Sequence, residues 1–287
     1  MGFANYRELA QAELDGKSQY STWRKTATAS TAAGIWFDLS MSPGNPTPNY
    51  YAASPLVAQR LSQSADGGIY HGGHPASGSK HLKQMLVMSV SAGAVPMPLL
   101  LCDYLLYYPF IDMGVTDPQL LTNSLALSRY SDGAGVQIMA VEVAGQSGVG
   151  NPQFQVSYTN QDGVTGRVTP AVACNTQVST GTIISSAAAT RFSSGPFLPL
   201  QSGDTGVRKI DSVQFLQPDI GLIALVLVKP LATHALRGID APSERDYAID
   251  FTVMPQIEDD AYLNLICYPA GNLNNAPLHG SMTFLWN

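Results

Sequence analysis

PLQSGDTGVRKIDSVQFLQPDIGLIALVLVKPLA, residues 199–232, is the stretch that decides the fold. Its centre, Leu222-Ile223-Ala224-Leu225-Val226-Leu227-Val228, is the longest uninterrupted apolar run in the chain. A run of this length suits a strand buried on both faces and is short for an ordinary helix. Gly221 opens the run. Lys229-Pro230 closes it, because proline has no N–H to donate and sits best at a strand end. Upstream, Gly203-Asp204-Thr205-Gly206 supplies turn chemistry and introduces a second strand over Val207 to Leu216. Gln217-Pro218-Asp219 makes a further turn between the two. Strand, turn, central strand, with nothing helical, predicts an all-β core.

Working outward, short alternating or apolar segments recur on both sides. Strands are expected over Ile35–Leu39, Leu82–Ala92, Leu99–Ile111, Val136–Ala144, Phe154–Tyr158, Gly166–Thr169, Tyr247–Val253, Tyr262–Tyr268 and Ser281–Trp286, with weaker ones at Ala171–Val178 and Thr182–Ile184. Asn160-Gln161-Asp162-Gly163 is a hairpin turn by its Asp-Gly pair, with Gly163 at positive φ. Helical signals are few. Tyr6–Leu14 mixes Leu9, Ala10, Ala12 and Leu14 with Glu8, Gln11 and Glu13, and Gly16 stops it. Pro55–Ser62 reads as a short helix with Ser54 as N-cap and Pro55 at N1. Many short strands and turns give a β-sandwich or jelly roll with long loops. The long connections fall between residues 40 and 82 and between 112 and 135, and loops of that length usually carry function or interfaces. No repeat of fixed period is present.

The opening stretch also bears a resemblance. Leu200, then Gly203-Asp204-Thr205-Gly206-Val207-Arg208, a strand, and a Gly-led apolar strand ending in Lys229-Pro230-Leu231 resembles tailed-phage virion structural proteins. It covers a small part of the chain and brings no catalytic residue. The resemblance implies a phage particle component, made in the host cytoplasm and carried on the virion, with a capsid decoration or cement role. Its implied partners are the major capsid protein or other virion proteins and further copies of itself.

Composition narrows the classes. The chain has 287 residues, 45% hydrophobic, enough for a substantial core. Only 13% are charged, about half the usual share, which suits a surface largely used in contacts. A net charge of −6 argues against nucleic-acid binding, which needs Lys and Arg to neutralise phosphates. Lys17, Arg24 and Lys25 are the one mild basic cluster and read as a solvated helix end. Cys102, Cys174 and Cys267 are far apart and odd in number, so free thiols and a reducing compartment are expected. Met1–Glu8 lacks the basic and apolar regions of a signal peptide. Met97–Met113, broken by Asp103, Asp112 and prolines, is too polar to span a membrane. Asp103 itself is expected to face outward from a half-exposed strand.

The domain expectation is an N-terminal arm and linker over residues 1–34, followed by one β-sandwich domain over 35–287 with room for two sub-sheets. Phe3, Tyr6, Leu9, Leu14, Tyr20 and Trp23 are too apolar to stay solvated, and the Thr/Ala/Ser tract Ala27–Ala33 follows them. Segment 3–25 is therefore expected to dock on a neighbouring subunit.

Enzyme chemistry is thin. No G-x-S-x-G, H-E-x-x-H, Walker or G-x-G-x-x-G pattern stands in a useful context. His71 and His74 make an H-x-x-H, but the pair brackets Gly72-Gly73 and has no evident third ligand; His81 lies further on. Glu258, Asp259 and Asp260 cluster oxygen ligands suited to calcium, yet three adjacent acids cannot flank a glycosidic bond as a polysaccharide hydrolase requires. No catalytic, cofactor or metal residue is assigned. Exposed Tyr and Trp beside Asn and Asp leave a second reading, a glycan- or receptor-binding module on the particle, such as a head fibre or tail component.

Overall fold

The computed structural model describes residues 2–145, 152–174, 179–184, 195–250 and 253–287. The principal elements are α1 (Tyr6–Leu14), β1 (Ser18–Thr26), α2 (Gln63–Asp66), β2 (Lys80–Ser89), β3 (Met97–Asp112), β4 (Gln137–Ala144), β5 (Gln153–Asn160), β6 (Val207–Phe215), β7 (Leu222–Leu236), β8 (Ser243–Asp246), α3 (Tyr247–Asp250), β9 (Tyr262–Cys267) and β10 (Pro277–Trp286). They form three antiparallel sheets, so the chain is all-β with a short N-terminal helix. The front sheet runs β8-β2-β10-β1 and ends on the two-residue strand Gly44–Asn45. The central sheet starts at Phe37–Asp38 and runs β9-β3-β7-β4. The third sheet is Arg167–Val168, β5, β6 and Gln119–Leu120.

The central sheet organises the rest through alternation. On one face, Leu99, Leu101, Leu236, Leu263 and Leu265 pack with Trp23, Leu82, Met85 and Phe284 of the front sheet. Further along that same face, Leu106, Tyr108, Ile223, Leu225 and Leu227 pack with Phe154, Val156, Ile210 and Phe215 of the third sheet. The opposite face, including Cys102, Tyr104, Val226, Val228 and Tyr262, is roofed by Met41, Tyr51, Leu61 and Phe197 from the loops. Register shifts between Leu227/Val228 and between Pro230/Ala232 keep the two halves of one face in phase. The apolar run is thus buried on both faces, and each such side chain contributes roughly 1.5–3 kcal/mol before entropy costs.

β7 does not end at Lys229-Pro230; it continues to Leu236. The reason lies in which way Pro230 faces. The backbones of Ile138 and Glu142 on β4 bond outward, to Leu198 and Thr182, so the odd residues of β4 face β7. Met139 and Gln137 lie opposite Val226 and Val228, so even residues of β7 face β4. β4 begins at Gln137, opposite Val228, so Pro230 points where no neighbour remains and its missing N–H breaks no ladder bond.

The hairpin forms as expected: Arg167 pairs with Tyr158 across it and Gly163 has φ +79°. The cysteines are free and buried. Other expectations need correction. Residues 18–26 are not arm or linker but β1, paired without a register break from Ser18↔Leu285 to Thr26↔Pro277. Trp23 is 2% exposed inside the chain's own core, whereas Tyr6, Leu14 and Tyr20 remain exposed. The linker packs too, with Asn275 N–H donating to the Ala27 carbonyl and Leu273 N–H to Thr31 Oγ1, both at 2.8 Å. Pro55–Ser62 is not helical. Leu56 takes φ +60°, and Gln59–Arg60 pairs with β3 at Tyr107 and Leu106, so tertiary pairing overrides the capping signal. Tyr247–Asp250 is one helical turn in place of a strand, and residues 251–252 of that expectation lie outside the described set. Of the weaker strands, Val172–Ala173 pairs with β5, residues 175–178 are outside the described set, and Thr182 and Ile183 make isolated bridges.

Candidate functional site

The motif of the opening stretch folds into one unit. Asp204 accepts hydrogen bonds from Tyr158 Oη at 2.6 Å, Asn160 Nδ2 at 2.7 Å and Arg167 Nε at 2.8 Å, which ties both arms of the hairpin. Burial opposes its ionisation, but the bonds from Arg167, Tyr158 and Asn160 outweigh it and hold the carboxyl below the usual range. Gln161 Oε1 accepts from the N–H groups of Thr205 and Gly206. Arg208 reaches the Gln161 carbonyl at 2.6 Å and the Asp132 carbonyl at 3.2 Å. From β7, Lys229 Nζ donates to the Ala134 carbonyl at 2.7 Å and sits 5.3 Å from the Tyr130 ring. A side chain at Gly206 would lie 2.0 Å from the Gly133 carbonyl oxygen, so only glycine permits the contact. The two separated pieces of the motif therefore converge on the turn at residues 130–135. Each of these groups ties one chain segment to another.

Two further polar centres are buried. Asp103 does not face outward; it is fully buried in the middle of the central sheet. Here β3 changes neighbours, from β9, which pairs up to Tyr104, to Gln59–Arg60, which pairs with Leu106 and Tyr107. Arg129 fills that seam. Its Nε and Nη2 each stand 2.8 Å from the Asp103 carboxylate, and Nη2 also donates to the carbonyls of Leu61 and Tyr104. Tyr262 N–H supplies a third donor to the same carboxylate at 3.0 Å. Burial raises the Asp103 pKa to about 6, with Arg129 pulling the other way.

On the roofed face, Asp38 accepts from Ser40 N–H, Ser40 Oγ, Tyr51 Oη at 2.5 Å and Tyr104 Oη at 2.7 Å. Burial lifts Asp38 and both phenols above their ordinary ranges. Buried Lys25, inward-facing on β1, donates to the carbonyls of Ser42 at 3.0 Å and Pro46 at 2.8 Å. Burial brings its pKa down to about 8, against the pull of Asp38. This network pins the loop at residues 38–51 over the sheet. Arg129, Asp38, Lys25 and Arg167 carry no motif, and Asp103, an acid inside an apolar run, was expected to face outward.

The metal candidates do not converge. His71 is buried, with Nε2 3.0 Å from the Ala261 carbonyl and Nδ1 accepting from Lys80 Nζ. His74 turns outward to Asp259 at 3.6 Å. His81 Nε2 meets Ser79 Oγ. Asp260 caps α2 through Ser64 N–H and Oγ, and Glu258 accepts from Gln256. Among the described residues no group of three His, Cys, Asp or Glu could hold a metal ion. Of the tryptophans, Trp23 is core, while Trp36 meets Tyr268 at the surface with ring centroids 5.4 Å apart.

No family model matches the chain, and no curated protein matches it. Among solved structures, it is similar to the infectious bursal disease virus VP2 subviral particle at 11% identity, over 94% of this chain and 81% of that one, with a TM-score of 0.16.

Proposed function

We propose that this protein is a non-enzymatic structural component of a phage virion, a decoration or cement protein that bridges shell subunits. The observation that carries the reading is the convergence of Gly206, Arg208 and Lys229 on the turn at residues 130–135, because it makes the virion-type motif a single structural unit. The buried polar centres agree with it. Asp103, Asp38 and Asp204 each hold chain segments together. A shell protein needs this rigidity, since bridging contacts must bury about 1,600 Å² in total to be stable. The partners are the major capsid protein and further copies of the chain, without nucleic acid or membrane. The test is co-sedimentation with empty shells from the phage that encodes the chain. Saturable binding in fixed ratio to shell subunits is expected; no binding to shells overturns the reading. The second reading, a glycan- or receptor-binding module, rests on the Trp36–Tyr268 pair, and binding to host-surface glycan that is lost in Trp36→Ala would favour it instead.

A further inference from the structure

We infer that the outer edge of β1, from Ser18 to Thr22, is where a second copy of this chain adds a strand. The inference does not depend on what the assembly finally decorates. Trp286 N–H donates to the Lys17 carbonyl at 3.2 Å, so odd residues of β1 face β10. Thr26 N–H donates to the Pro43 carbonyl at 2.9 Å, so even residues face away from it. The short strand on that outer side meets only Arg24 and Lys25. Ser18, Tyr20 and Thr22 therefore present their backbone groups at an open edge, and among the described residues no acceptor meets their N–H groups. Gln19 Nε2 reaches the Tyr20 carbonyl and Asn45 Nδ2 the Thr22 carbonyl, each leaving a second lone pair.

Exposed edges are normally blunted by charge, proline, a bulge or a cover. The outer edge of β4 is covered by residues 181–184 and Leu198, and β8 is only four residues long. Ser18-Gln19-Tyr20-Ser21-Thr22 has no charge, no proline and no register break. Side-chain charge selects the occupant. In an antiparallel two-fold pairing with Tyr20 opposite its counterpart, Ser18 faces Thr22 and all outward residues match even to even. In that register Arg24 of each copy stands opposite Gly16 of the other, which makes Arg24 and Asp15, one residue before that glycine at the end of α1, the facing pair of opposite charge. Both are exposed, and among the described residues neither has an ion-pair partner; Asp15 accepts only from Gln11 Nε2. Nearby Glu13 is already held by Lys83. An isologous contact uses this complementarity twice, which a parallel arrangement does not.

Sedimentation velocity on the intact chain, over a concentration series and without shells, tests this. A concentration-dependent dimer is expected. Tyr20→Pro removes an outward N–H while leaving the β10 ladder intact, and it should abolish the dimer with unchanged circular dichroism. Arg24→Asp and Asp15→Arg should each weaken dimerisation about tenfold or more, and the combined variant should restore it. These charge variants sit at exposed positions, so they decide the matter even if Tyr20→Pro does not fold. A wild type that stays monomeric, a dimer indifferent to the charge variants, or a combined variant no better than either single change would overturn the inference.

Discussion

Removing the Arg129 guanidinium should be among the costliest single changes in this protein. Arg129→Met keeps the stem but leaves Asp103 fully buried with one donor, Tyr262 N–H, in place of three. The carbonyls of Leu61 and Tyr104 lose a donor in the same step. Breaking a buried ion pair from one side costs roughly 3–5 kcal/mol, because the other charge stays desolvated. That is a large part of the roughly 5–15 kcal/mol that holds a domain together. Two signatures separate this mechanism from lost packing. First, Asp103→Leu combined with Arg129→Met should be more stable than Arg129→Met alone, since no charge is left buried. Second, the deficit should shrink in acid. The Asp103 pKa is already raised to about 6 with Arg129 present, and removing the cation raises it further. A carboxyl whose folded pKa exceeds its unfolded one favours folding below the unfolded pKa and loses that contribution as pH rises through the folded pKa. The variant should thus lie closer to wild type at pH 5 than at pH 7. Urea unfolding followed by tryptophan fluorescence at both pH values is the assay. A loss below about 1 kcal/mol at pH 7 would refute the reasoning, as would a double variant no more stable than the single one.

Three other outcomes follow from the same geometry. Burial pushes His71 down to about 4, with Lys80 adding to it, and burial likewise pushes His234 to about 4, so stability should be full above pH 6.5 and fall as pH drops towards 4; a urea series on His71→Gln and His234→Gln should show a flatter acid limb. Gly206→Ala forces a methyl against the Gly133 carbonyl oxygen, 2.0 Å away, and should cost several kcal/mol, on the order of an overpacked core site, in chemical denaturation. Pro230→Ala should change stability by less than about 1 kcal/mol, because the restored N–H points past the end of β4.

The parts of the fold legible in the sequence were those set by local chemistry. Leu222–Val228 could only be a doubly buried strand, and Asp162-Gly163 could only be a tight turn. β1 was hidden because Lys25 occupies an inward position, and its role depends on loop carbonyls far along the chain. Ser54-Pro55 imitates a helix start, yet the segment is drawn into pairing with β3. Arg129 finds Asp103 across 26 residues and a change of sheet neighbour, and no periodicity encodes such a meeting. The motif at Gly203–Arg208 was visible, but its junction with Lys229 at the turn 130–135 exists only in three dimensions.

A structural place on a virus particle is tested most directly by a quantitative mass-spectrometric count of this chain in particles purified from cells that produce it. The expected result is a fixed stoichiometry relative to the major shell protein, retained after nuclease and salt washing. Virions that are complete and infectious without this chain would contradict it.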